Sequence, residues 1–496
     1  MPAIVAESGS PCSTMGRGSC DGRHRGVTLR GSRRRAGATL GDAALSLLLV
    51  PHEVGPNHIQ LWVGALGDPA ADPASLKVTV QAGTGAAASA DIGTWQGSVT
   101  GRGRSIAFRR VTFTGLTPRT RYRCELLRDG VVVPDATAFA STLPLDLPTS
   151  EERPFTVLLG SCFSQGADGA GNAGRAFSLL PADLRPEIKI LCGDQVYLDQ
   201  PTMEFLFHTH DEDDLRARHL GNYAKAWAQT GGFRELLRDG GTWFSSDDHD
   251  FWNNAPNATV IARDTWSVDG RGKWMRAATA LYEAFQRPAG RASQFRVGRL
   301  SFFVADTRIA RSEATAGFAT EPDMVDIETW AAALDGPGCL VLGQLLFSGQ
   351  SGIKGKFMDY GLPDFVQYPR LVRALMAARH TVVILTGDVH FGRVAVCQIE
   401  PGRDVVEIVA SPLALVAKVP ANTWHEAPPD FPAVAIPGMA RRPVQTAEAF
   451  RLNANQFTTI GFDRSGAFVR MQIRAWPVET NGRLPTPSHE FTYEIR

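Results

Sequence analysis

The 496-residue chain carries no net charge: 51 lysines and arginines stand against 51 aspartates and glutamates. No global field favours nucleic acid or an anionic membrane, and no specific nucleic-acid-binding module is expected. Cysteine is scarce, with seven residues scattered and no CxxC spacing. That odd, dispersed set argues against a disulfide framework and leaves room for one cysteine with a chemical role. No apolar run approaches the roughly 18 residues of a helix that spans a bilayer. Internal repeats and sustained heptads are missing too, which argues against a solenoid or a long coiled coil.

Turn-forming residues are plentiful, with 49 glycines and 31 prolines, and the length suits two or three domains. Residues 1–39 hold seven arginines, including Arg33-Arg34-Arg35, ahead of the apolar stretch Ala43 to Val50. This order suits either a disordered basic tail over residues 1–42 or an export signal of the twin-arginine type. Asp42 interrupts the apolar stretch, which favours the tail and a cytoplasmic location; the signal reading would export the chain.

From 43 to 143 the texture is all-β, as in Ile59 to Val63, Leu76 to Val80 and Tyr122 to Leu127, with Gly, Pro and Asp turns between. About 100 residues of this kind predict a small sandwich of immunoglobulin or fibronectin type III shape. The Pro-rich stretch 141–154 reads as a linker. After it come compact apolar runs, among them Thr156 to Leu159, Glu187 to Cys192, Thr242 to Phe244, Leu300 to Ala305 and Val382 to Leu385. Helical patterns such as Trp274 to Phe285 and Leu371 to Ala378 lie between them, which predicts a layered α/β or α+β domain over 154–480. Residues 481–496 read as a C-terminal extension.

Polar residues follow five of these strand runs directly. They are Cys162, Asp194 with Tyr197, the group Asp247-Asp248-His249-Asp250 with Asn253 and Asn254, Asp306 with Arg308, and Asp388 with His390. Ligands gather at the carboxyl ends of such strands. A pair of cations a few ångströms apart needs a bridging carboxylate and further oxygen and imidazole donors, and it activates water against phosphorus.

The motifs GSC (160–162), GDQVY (193–197), DDHDFWNN (247–254), ADTR (305–308) and GDVH (387–390), in this order, resemble the PhoD-like phosphatases. These are a branch of the calcineurin-like metallophosphoesterases, and the resemblance spans roughly 43 to 475. It implies a metallophosphoesterase-type β-sandwich flanked by helices. It also implies hydrolysis of small phosphate esters, monoester or diester, by a metal-activated hydroxide or bridging oxygen. The implied dinuclear centre holds Fe3+ with Ca2+, other divalent metals being alternatives. Metal ligands by this resemblance are Cys162, Asp194 as the bridge, Tyr197, Asp248, Asp388 and His390. His249, Asp250 and Arg308 take catalytic roles, and Asn253, Asn254 and Arg308 contact the substrate, Arg308 at a phosphate oxygen.

The chain departs from the family at Asp250, where a Glu is usual, and in the shorter segment 343–361, which puts the pocket wall and substrate choice in play. Two other readings stand beside the favoured one. A phospholipase-like or nucleotide-directed phosphodiesterase would use the same site, and an inactive phosphatase-like binding protein would use the β-sandwich. Blander roles are an ion pair between Arg308 and Asp306, and an outer position for Asp247. His208 and His210 read as a solvated acidic loop rather than a second metal site.

Overall fold

The computed structural model describes residues 46–496 apart from 68–71, 170, 230, 289–291, 353–354, 356–358, 416–425, 451–454 and 479–485. The basic segment 1–42 lies outside the described residues.

Alternating burial builds the first part. β1 (Ser46–Val54), β2 (His58–Leu66), β5 (Gly97–Gly101) and β6 (Arg104–Thr114) form an antiparallel sheet in the order β1-β2-β6-β5. β3 (Leu76–Ala82), β4 (Ala88–Asp91), β7 (Arg121–Arg128) and β8 (Val131–Ser141) form a second, in the order β4-β3-β7-β8. Leu61, Val63, Val78, Val80, Tyr122 and Leu126 are buried in one shared core. Trp62 points the other way: its Nε1–H donates to Ala284 O at 2.7 Å and joins this module to the rest.

The apolar runs after the linker become the strands of two further sheets. β9 (Phe155–Gly160), β10 (Ile188–Cys192) and β11 (Gly241–Ser245) are parallel. They continue into the hairpin β20 (Gln456–Ser465) and β21 (Phe468–Pro477), then β22 (His489–Ile495), in the order β11-β10-β9-β20-β21-β22. The other sheet holds β12 (Ser293–Val297), β13 (Leu300–Val304), β14 (Gly338–Val341), β15 (Val382–Thr386), β16 (Gly392–Glu400), β17 (Arg403–Val409), β18 (Asp430–Phe431) and β19 (Arg442–Phe450). Its order is β12-β13-β14-β15-β17-β16-β19-β18, with β13, β14, β15 and β17 parallel.

Alternate residues divide the core into layers. Val157, Ile190 and Trp243 of one sheet share a cluster with Phe302, Val341 and Val383 of the other, so the sheets face each other. The opposite faces carry helices. Leu158, Leu191 and Phe244 pack under α1 (Asn172–Ser178), α3 (Glu212–Tyr223), α4 (Phe233–Leu237) and α5 (Val268–Phe285), with α2 (Thr202–Phe207) at the edge. Phe303, Leu340 and Ile384 pack under α6 (Glu321–Ala333) and α7 (Tyr368–Ala377). The mixed α/β sandwich flanked by helices is the layering predicted.

Residues 46–496 form one compact unit, so the linker 141–154 separates no independent body. The segment read as an extension supplies β22, an edge strand in register with β21 from Val469–Ile495 to Ala475–His489. No helix among the described residues is long and apolar enough to cross a membrane.

Candidate metal centre

The parallel strands of both sheets end on one rim. Cys162 follows β9, Asp194 follows β10, Asp247 and Asp248 follow β11, and Asp388 and His390 follow β15. Leaving a strand this sharply takes unusual backbone. Cys162, Asp194, Asn254, Asp388 and His390 all have φ between 55° and 70°, the left-handed region that costs a non-glycine residue about 1–3 kcal/mol. Gly193, at φ +100°, admits the neighbouring loop, since a Cβ there would stand 2.3 Å from Asp247 Cβ.

Asp194 Oδ2 is the point of convergence. Cys162 Sγ lies 3.5 Å from it and the Tyr197 hydroxyl 3.3 Å, while Asp194 Oδ1 accepts the His249 backbone N–H at 3.0 Å. Asp194, Asp248 and His249 bring one donor atom each within 4.8 Å of one another, and so do Asp247, Asp248 and Asp388. Asp248 therefore belongs to two adjoining groups. A cavity of about 690 Å³ opens on this rim, lined by Asp194, Asp248, His249, Asn253, Asn254, Asp388 and His390 among others. His390 lines it but stands outside both tight groups.

The electrostatics show what such a cluster lacks. Burial, with Asp194 and Asp388 beside it, pushes the Cys162 thiol well up. Burial, then Cys162 and Asp194, does the same to the Tyr197 phenol. Asp194 and Asp388 are also raised by burial, with Asp248 and Asp247 as the leading neighbours respectively. Asp247 is raised to about 7 by burial, against the opposing pull of Arg308. Its Oδ2 is buried without a hydrogen-bond partner. A buried anion cluster with an orphaned carboxylate oxygen fits bound cations, because unpaired buried charge is otherwise costly.

His249 stands over Tyr197, ring centroids 4.1 Å apart. Its Nδ1 lies 2.9 and 2.8 Å from the two oxygens of Asp199. Burial lowers its affinity for a proton, but Asp199 and Asp248 outweigh that and hold it well above the ordinary histidine range. Burial and His249 instead lower His390 to about 4. Asp199, which belongs to none of the sequence motifs, is 0% exposed and also accepts the Asn253 N–H at 2.9 Å. Its only signal is a carboxylate five residues past Asp194 in an otherwise uncharged stretch.

Two residues expected at the cavity are engaged by other groups. Asp250 is 0% exposed and does not line the cavity. Its Oδ2 accepts the backbone N–H of Asp194 at 2.8 Å and of Asp247 at 3.1 Å, and its Oδ1 accepts Gln286 Nε2–H at 3.1 Å. It ties the loops of Asp194 and Asp247 together from behind the cavity wall. Arg308 is 1% exposed and has no N–H left for a phosphate. Nε donates to Asp247 Oδ1 at 2.7 Å and NH1 to Ala255 O at 2.7 Å. NH1 and NH2 hold the two oxygens of Asp359 at 3.2 and 2.7 Å, and NH2 pairs again with Asp247 at 2.5 Å. Its ion pairs are with Asp247 and Asp359; Asp306 accepts only its backbone N–H, at 3.1 Å.

Asn254 gives its backbone N–H to Asp248 Oδ2 at 2.7 Å, and Asn253 Nδ2 reaches Thr259 at 3.4 Å. Both asparagines remain on the cavity wall. His208 is exposed, but His210 is buried on Asp264, Nδ1 to Oδ2 2.8 Å, so the two do not share one solvated loop.

No protein-family profile matches the chain, and no curated protein matches by sequence. Among solved structures it is similar to the structure of PhoD, with a TM-score of 0.56 and 14% identity over 89% of this chain and 92% of that one. It is also similar to the purple acid phosphatase PPD1 from yellow lupin (Lupinus luteus) seeds, with a TM-score of 0.53 and 13% identity over 91% of this chain and 74% of that one. The chain shares the overall fold of these two structures.

Proposed function

We propose that this chain is a metal-dependent phosphoester hydrolase of the PhoD-like kind. The observation that carries the reading is the set around Asp194: a buried thiol, a buried phenol and three further carboxylates, which among the described residues outnumber the Arg308 and His249 cations beside them. Cys162, Asp194 and Tyr197 would hold one cation, and thiolate with phenolate suits iron. Asp247, Asp248 and Asp388 would hold the other, and all-carboxylate donors suit calcium. His390 would complete the set from the rim. When bound, such a pair makes water nucleophilic and neutralises charge on phosphorus.

The chain's own groups do the rest. His249, fixed by Asp199 and Tyr197, donates a hydrogen bond or a proton to the phosphoryl or leaving oxygen. Asn253 and Asn254 flank that position. We read the two N-terminal sheets as an immunoglobulin or fibronectin type III sandwich, which the strand orders β1-β2-β6-β5 and β4-β3-β7-β8 support.

Metal analysis of purified protein, paired with turnover of p-nitrophenyl and bis-p-nitrophenyl phosphate, tests the reading. Bound iron with hydrolysis of either ester is expected, together with a visible tyrosinate-to-iron absorption that Tyr197→Phe removes. Protein that holds no metal and turns over neither ester after reconstitution with iron and calcium would sink it.

A further inference from the structure

Behind the cavity wall lie two buried guanidiniums. Arg308 and Arg311 both reach Asp359, which lines the same cavity as Asp248, His249 and Asp388. Asp359 grips Arg308 with both oxygens, Oδ1 to NH1 at 3.2 Å and Oδ2 to NH2 at 2.7 Å. This end-on fork is one of the bidentate geometries in which an arginine takes a phosphate or a carboxylate ligand. Asp359 Oδ2 also accepts Arg311 NH1–H at 3.5 Å and the Gln344 amide. Arg311 is held in turn by Gln344 Oε1 at 2.6 Å and Tyr360 O at 3.2 Å, its face 4.8 Å from the Phe365 ring centroid. Asp359 itself sits at φ +79°, a strained conformation that places this carboxylate on the wall.

We propose that Asp359 determines substrate charge: its carboxylate occupies the arginine pair where a second anionic oxygen of a substrate would bind, so the cavity admits phosphodiesters and disfavours phosphomonoesters. The proposal rests on the phosphoesterase reading and deepens it. Arg308 and Arg311 are balanced one for one by Asp247 and Asp359. No surplus positive charge from this pair faces the cavity. A diester brings one negative charge and a monoester nearly two at neutral pH, so the monoester bears the greater repulsion from Asp359. A carboxylate that only braced the wall would affect both esters alike.

The test compares kcat/KM for p-nitrophenyl phosphate and bis-p-nitrophenyl phosphate in metal-loaded protein. Wild type should favour the diester. Asp359→Asn keeps the shape and removes the charge, and it should raise the monoester-to-diester ratio on the order of tenfold. Inorganic phosphate should also inhibit that variant more tightly. Arg311→Gln should move the ratio the other way, by leaving Asp359 less neutralised. Should Asp359→Asn fail to fold, the direction of the Arg311→Gln change decides. Wild type preferring the monoester, or a ratio that does not move as stated, overturns the assignment of Asp359. Wild type inactive on both esters overturns the phosphoesterase reading instead.

Discussion

The carboxylate of Asp250 accepts the backbone N–H of Asp194 at 2.8 Å, so a residue that never meets the cavity sets where the central ligand stands. With Asp247 N and Gln286 Nε2 it makes three buried contacts. Asp250→Ala leaves three buried donors unpaired, which should cost about 2–4 kcal/mol and reduce metal content. Thermal melting with metal analysis checks this. A variant of native stability and full metal content that lost only turnover would return Asp250 to catalysis.

Asp199 acts on His249 through the paired contacts at 2.8 and 2.9 Å, which fix the ring over Tyr197. Asp199→Asn should lower kcat roughly 10–100-fold with a much smaller change in KM, and it should move the pH–rate profile. Asp199→Ala should be worse than Asp199→Asn. Equal loss in KM and kcat, with no change in profile, would mark Asp199 as a brace for the Asn253 turn only.

Acid sensitivity should trace to His219. It is 0% exposed against Trp274, ring centroids 5.2 Å apart, and neither ring nitrogen has a hydrogen-bond partner. Burial, with His210 nearby, lowers it from 6.5 to about 3. The unfolded chain therefore binds a proton in that window and the folded chain does not. Stability is intact above 6.5 and declines as pH falls towards 3, by about 5 kcal/mol at the limit. His219→Leu should flatten the fall in melting temperature between pH 7 and pH 5. An unchanged slope would place the sensitivity elsewhere.

Motifs that close apolar runs were legible because burial and chemistry sit side by side along the chain: "ILCGD" and "VVILTGDVH" each give a strand and then a ligand. That pattern placed Cys162, Asp194, Asp248 and Asp388 on one rim. What it could not give was the use each polar group makes of its hydrogen bonds. Arg308 looks available in "ADTR" and is saturated by Asp247, Ala255 and Asp359, none near it in sequence. Asp250 reads as one more acid in a run of them until its three donors are seen. Asp199 and Asp359 belong to irregular segments with no periodicity, so only the folded chain brings them to the site. The C-terminal strand was missed for a related reason: β22 alternates exposed and half-buried residues, an edge pattern without a compact apolar run.

The place of β20 beside β9 has a consequence for biosynthesis. A ribosome that has reached His390 has delivered every candidate ligand, yet β9, which carries Cys162, still lacks its neighbour on one side. Until Gln456–Ser465 emerges, that strand presents an open edge, and open edges recruit other chains. Premature termination in this stretch should therefore yield aggregates rather than a smaller working protein. Ion loading should follow release of the finished polypeptide rather than accompany its elongation.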